Sequence, residues 1–249
     1  MAPTVEKTFD LKSTIKDYLE HSRDLFTGMI LVLPLFIFYQ VGVMATGGVR
    51  NGVDFMTDLM WWVAQRQMSY YLLLNLALFL IFGGVIFFLR HRGTFRPKIW
   101  PWVIGESTIY AIFFGSAVIK LMSVFGFSAL LASGAKSHGP FDAFVLSLGA
   151  GLYEEIVFRL IGVGGLFLIL KKIDKLPQWV NAAIAVVLSS VVFSAIHHIG
   201  SMGDPFTLGV FFFRFFAGLL LALIFYLRGF AVAVYTHAIY DIIVMVFKT

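Results

Sequence analysis

Glu154 and Glu155 stand side by side in the run Tyr153-Glu154-Glu155-Ile156-Val157-Phe158-Arg159. On a helix Glu155 and Arg159 share one face, with the acid on the N-terminal side, the better order for an ion pair. Glu155 then has a structural partner. Glu154 points about 100° away and has no cation at helical spacing in its own segment, so it is the carboxylate left for chemistry. An acid held away from water is the kind of group that exchanges protons with a substrate in general acid or base catalysis.

Two later runs add imidazoles at the same four-residue spacing. In Phe193-Ser194-Ala195-Ile196-His197-His198, Phe193 and His197 share a helix face while His198 faces elsewhere. In His237-Ala238-Ile239-Tyr240-Asp241 the carboxylate reaches the imidazole of the preceding turn and can fix its tautomer or charge. Three helices thus each present a polar face to what can be one site. Activation of a water by Glu154 is one chemistry open to this set. Zinc bound by Glu154, His197 and His237, with an open fourth position, is the other. The chain has no cysteine, which excludes thiolate nucleophiles, disulfides and Cys-ligated metals. It also lacks the His-Glu-x-x-His zinc motif and the Gly-x-Ser-x-Gly elbow.

The elements that must position these residues are apolar helices. Of 249 residues, 59% are hydrophobic, 28 are Phe and only 13% are charged, too much apolar surface for a soluble chain of this length to enclose. Seven stretches approach the roughly 20 apolar residues that cross a bilayer: 25–45, 70–89, 99–122, 141–170, 179–198, 207–227 and 229–247. Segment 51–66, with Trp61 and Trp62, fits an interface or an eighth crossing. Residues 1–24 are polar, with Leu11, Ile15, Tyr18 and Leu19 at the spacing of an interfacial helix, and they read as a retained segment. The fold expected is an all-α polytopic transmembrane bundle, one membrane domain over 1–249, with a conical or open intramembrane polar cavity. Alternate loops hold twelve Lys and Arg on one side and four on the other, which places the N-terminus in the cytoplasm. The net charge of +5 is therefore topology and not a nucleic-acid footprint.

Several other charges fall inside the apolar runs. Arg214, within a run of Phe, needs an acid from elsewhere in the chain, and Glu106 and Lys120 are too far apart to pair with each other. Depth raises a conflict. Counted from the ends on the basic side at about 1.5 Å per residue, Glu154 and His197 lie about 25 Å in but His237 only about 12 Å in. At least one helix must tilt, break or shift for the three to meet.

Glu154-Glu155-x-x-x-Arg159, Phe193-x-x-x-His197 and His237-x-x-x-Asp241, in that order on three late spans, resemble the CPBP family. That family includes the type II CAAX prenyl endopeptidases and bacteriocin-processing or immunity-associated membrane proteins. The resemblance covers roughly residues 140–247. It implies a metal-free, glutamate-dependent intramembrane endopeptidase acting on a membrane-associated protein or peptide. Glu154 and His197 would activate a water, and His237 with Asp241 would stabilise the oxyanion. Glu155, Arg159 and Phe193 would support the site. The family's third motif commonly ends in Asn, a donor, whereas Asp241 donates only when protonated. Either Asp241 is a neutral acid or it orients a cationic His237. Two readings outside the protease class are a proton-coupled transporter and a non-catalytic scaffold or immunity protein.

Overall fold

The computed structural model describes residues 11–46, 67–127, 139–173, 176–199 and 203–247. Its elements are α1 (Leu11–His21), α2 (Leu25–Ala45), α3 (Met68–Leu89), a 3-10 turn (Pro97–Ile99) leading into α4 (Trp100–Val124), α5 (Pro140–Gly149), a π-helical segment (Ala150–Gly165), α6 (Leu166–Ile173), α7 (Gln178–Ile196), α8 (Leu208–Arg228) and α9 (Phe230–Met245). The bundle is all-α, as expected, and there is no strand among the described residues. Helix starts follow local chemistry. The Asp24 side chain accepts from the Thr27 amide at 2.9 Å to cap α2, and Thr207 caps α8 by accepting from Val210 at 3.2 Å. Prolines sit in the first turn of α4 and of α5, where a missing N–H costs nothing.

Among the described residues five helices are long and apolar enough to cross a membrane: Leu25–Ala45, Leu72–Leu89, Pro97–Val124, Gln178–Ile196 and Leu208–Arg228. The other two runs of the expected seven are helical as well, but differently. Residues 140–173 form one uninterrupted helical rod, α5 through the π segment to α6, with the Glu and Arg residues inside it. The last run is the shorter α9. Segment 51–66, and with it the eighth crossing, lies outside the described residues.

Burial divides the helices sharply. Almost nothing of Leu72–Leu89 is buried within the protein, which suits a helix whose neighbours are lipid chains. Every residue from Phe230 to Ala238 is buried, and α9 packs on α2, α4, α5, α8 and the π segment. Its Ala231, Ala233 and Ala238 allow that close approach from several sides.

The turn between α8 and α9, which leads to His237, is held by close packing and hydrogen bonds. Gly229 adopts φ +93°, and a Cβ there would lie 2.7 Å from the Ser22 carbonyl oxygen and 2.9 Å from Arg23 Cα, so the turn tucks beneath the α1–α2 connection. Arg228 Nε donates to Glu106 Oε1 at 2.5 Å, and Glu106 is about 10 Å along α4 from its start. The turn is therefore packed against the α1–α2 connection and tied to α4. Glu106 gathers further donors: Arg228 Nη2 at 2.8 Å, Tyr110 at 2.7 Å, and the Tyr18 hydroxyl of α1. Burial, reinforced by the Glu106 carboxylate, raises the Tyr18 phenol above its usual range, so it stays a donor. Asp17 pairs with Arg96 at 2.8 Å, so α1 docks on the start of α4.

Candidate active site

The rod 140–173 widens to π geometry between Ala150 and Gly165. A π turn closes i→i+5 bonds, so successive residues rotate through a smaller angle than in an α-helix. Two adjacent carboxylates can then both face inward, and both do: Glu154 and Glu155 are 4% and 0% exposed. Gly151 sets the crossing with α9. A Cβ there would lie 2.6 Å from Ala238 Cβ and 2.7 Å from its amide nitrogen, so only glycine lets the backbones meet beside His237. Gly218 does the same between α8 and α7, where a Cβ would stand 3.1 Å from Ser190 Cβ and 3.2 Å from Phe193 Cδ1.

These crossings bring the three motifs together. His197 caps the end of α7, and its Nδ1 donates to the Phe193 carbonyl at 2.6 Å. A carbonyl can only accept, which leaves Nε2 as the atom facing Glu154 Oε2, at 3.9 Å. His237 Nε2 faces the same Oε2 at 3.8 Å and Asp241 Oδ2 at 3.6 Å. His237 Nδ1 lies 2.8 Å from Glu155 Oε1, the oxygen that also stands 3.0 Å from Arg159 Nη1. Glu155 therefore bridges two helices and not only its own turn. Sequence reasoning missed this, since spacing along one helix reports nothing about a partner on another.

Arg159 is fully enclosed. Its guanidinium lies 4.5 Å over the Phe193 ring, and its Nη2 donates to the Gly218 carbonyl at 3.5 Å. Phe193 also stands edge-on to His197, with ring centroids 4.9 Å apart, and 6.4 Å from His237. One aromatic ring thus walls the cation and both imidazoles. His197 and His237 are 8% and 6% exposed, so the cluster is closed over by this packing, where an open polar cavity was expected. A cavity of about 170 Å³ lies to one side, between α4, α8 and α9, lined by Ala111, Gly115, Ser116, Phe213 and Tyr240. It touches the residue before Asp241 but is not centred on Glu154. Among the described residues, no group of three His, Cys, Asp or Glu is arranged to hold a metal ion.

The remaining ionisable residues have other partners. His198 faces away, as expected, its Nδ1 donating to the Asp204 carbonyl at 3.1 Å. Arg214 pairs with the Asp204 carboxylate at 2.5 Å, the acid that sequence left unassigned.

A helical membrane protein with paired glutamates and two imidazoles gathered in its interior is the class that fold and cluster define. Residues 136–243, which hold all three motifs, match the family model described as type II CAAX prenyl endopeptidase Rce1-like. Through this region the chain is similar to the type II CAAX prenyl endopeptidases of the CPBP family. No curated protein and no solved structure matches the chain.

Proposed function

We propose that this protein is an intramembrane endopeptidase that hydrolyses a peptide bond of a membrane-associated protein or peptide with a water activated by Glu154 and His197. The observation that carries the reading is the convergence of His197 Nε2 and His237 Nε2 on one carboxylate oxygen, at 3.9 and 3.8 Å. Such gaps are too long for direct hydrogen bonds. A water at about 2.8 Å from each atom fits off the line joining them, with an angle of roughly 90° at the water.

In this mechanism Glu154 takes the proton of that water as its oxygen attacks the scissile carbonyl, with His197 Nε2 accepting the second O–H. The carbonyl oxygen becomes an oxyanion, and His237 Nε2 is the donor beside it. That role requires a proton on Nε2 as well as on Nδ1, and Glu155 already takes the Nδ1 proton as a hydrogen bond. Glu154 then passes its proton to the leaving amide nitrogen as the tetrahedral intermediate collapses. Asp241, beside the same Nε2, acts as a neutral donor to the oxyanion side, the role the family's Asn fills. With the N-terminus cytoplasmic, the polar cluster lies deep within the bilayer and the substrate is one that reaches it from the membrane.

The rival reading is zinc held by Glu154, His197 and His237. One experiment addresses both readings: cleavage of candidate membrane peptides by purified wild type and Glu154→Ala in detergent, with metal content measured on the same samples. The expected result is cleavage by wild type without stoichiometric metal and a loss of about 10³-fold or more in the variant. Retained cleavage by Glu154→Ala removes the proposal. Stoichiometric zinc with chelator loss and metal rescue replaces it with the metal mechanism.

A further inference from the structure

Arg214 interrupts the aromatic run Phe211-Phe212-Phe213-Arg214-Phe215-Phe216 on α8. A cation in such surroundings needs a counter-charge, and Asp204, in the connection between α7 and α8, supplies it through a bond of 2.5 Å from Arg214 Nη2. Neutralisation is only part of what Asp204 does. Its backbone amide donates to the His197 carbonyl at 2.9 Å, and its own carbonyl accepts from His198 Nδ1 at 3.1 Å. One turn earlier, Ser194 Oγ donates to the Phe211 carbonyl at 2.6 Å. The last turn of α7 is therefore tied to the first turns of α8 through two separate routes. His197 sits at the helix end, where carbonyls lack intrahelical partners and the chain frays unless something holds it.

We infer that the Asp204–Arg214 pair is a latch that positions His197. Arg214 fixes the Asp204 carboxylate, the carboxylate fixes the Asp204 backbone, and that backbone holds the His197 carbonyl so that Nε2 keeps facing Glu154. The inference rests on the role proposed above for His197. Arg214 also lies within electrostatic reach of both His197 and Asp241, so its charge acts on the site as well as through the backbone. Two buried nitrogens of the cluster, Arg214 Nη1 and His198 Nε2, have no hydrogen-bond partner among the described residues.

The test uses the full chain in detergent, a membrane peptide that wild type cleaves, and the variants Asp204→Asn, Arg214→Gln, Arg214→Lys and Glu154→Ala. Asp204→Asn and Arg214→Gln are expected to lower kcat about ten- to a hundredfold with KM within about twofold. The amide of residue 204 is expected to exchange with deuterium faster in both. Arg214→Lys, which keeps the charge, returns kcat toward wild type. A wild-type kcat in Arg214→Gln, or unchanged protection of that amide, overturns the latch. Should Asp204→Asn fail to fold, the contrast between Gln and Lys at 214 carries the comparison. Full cleavage by Glu154→Ala removes the catalytic reading instead, and amide exchange then judges the latch alone.

Discussion

Glu155 holds His237 from a different helix: its Oε1 lies 2.8 Å from His237 Nδ1 across a sequence separation of 82 residues. The same oxygen stands 3.0 Å from Arg159 Nη1, so one carboxylate both neutralises a buried cation and sets which nitrogen of His237 faces Glu154. Removing it leaves Arg159, 1% exposed, with no acid at bonding distance. Breaking a buried pair by deleting one partner costs about 3–5 kcal/mol. Glu155→Ala is therefore expected to lower thermal stability in detergent far more than Glu154→Ala, whose carboxylate makes no contact under 3.8 Å with either imidazole. Equal losses of Tm in the two variants would show that Glu155 is not the anchor of the cluster.

Because Glu155 already fixes the His237 ring, Asp241 is not needed to orient it. Its Oδ2 is 3.6 Å from Nε2, on the side toward Glu154. Asp241→Asn keeps a donor at that point and is expected to retain most peptidase activity. A fall of two orders of magnitude or more in kcat/KM, about 2.7 kcal/mol of transition-state stabilisation, would assign Asp241 the orienting role instead.

Gly151 and Gly84 sit in opposite environments and make opposite forecasts. At Gly151 a Cβ would meet Ala238 backbone and side chain at 2.6–2.8 Å, and neither helix can yield without separating Glu155 from His237. Gly151→Ala is expected to destabilise by about 1–3 kcal/mol, the usual cost of overpacking, and to lower activity. At Gly84 on α3 a Cβ meets nothing within 4 Å. Gly84→Ala is expected to be neutral or to stabilise by up to about 1 kcal/mol through helix propensity. Thermal unfolding and cleavage assays on the two variants check the contrast, and a harmless Gly151→Ala would mean that the π segment and α9 do not cross as closely as described.

Much of this was legible in the sequence, and the reasons it stopped where it did are physical. The motifs are local: Glu155 with Arg159, Phe193 with His197 and His237 with Asp241 are each four apart, and periodicity reports what one helix can do for itself. The distances that make a site are between helices, so the bridge from Glu155 to His237 and the pairing of Arg214 with Asp204 had no signal along the chain. The burial of both glutamates comes from helices packed on several sides of the π segment, which spacing along one helix does not report. The contacts that hold the turn at Gly229 are likewise between helices, so they too had no signal along the chain. Glu106, read as an isolated charge, is the centre of a network because Arg228, Tyr18 and Tyr110 all reach it from three helices.

That network yields the last forecast, for a residue remote from the glutamates. Glu106 takes two hydrogen bonds from Arg228, at 2.5 and 2.8 Å, and others from Tyr110 and Tyr18. Arg228 immediately precedes Gly229, the turn that sets where α9 begins and hence how deep His237 lies. Glu106→Gln keeps an acceptor for the tyrosines but leaves Arg228, 9% exposed, without its counter-charge. The expected result is a fall in stability of about 2 kcal/mol or more, with faster deuterium exchange in α1 and in the first turn of α9. Activity should fall too, although Glu106 belongs to α4 and not to the elements that carry Glu154 and His197. If exchange quickens in α1 while α9 and catalysis stay at wild-type values, the network anchors the N-terminal helix and not the turn, and the depth of His237 must be set by the packing of α9 alone.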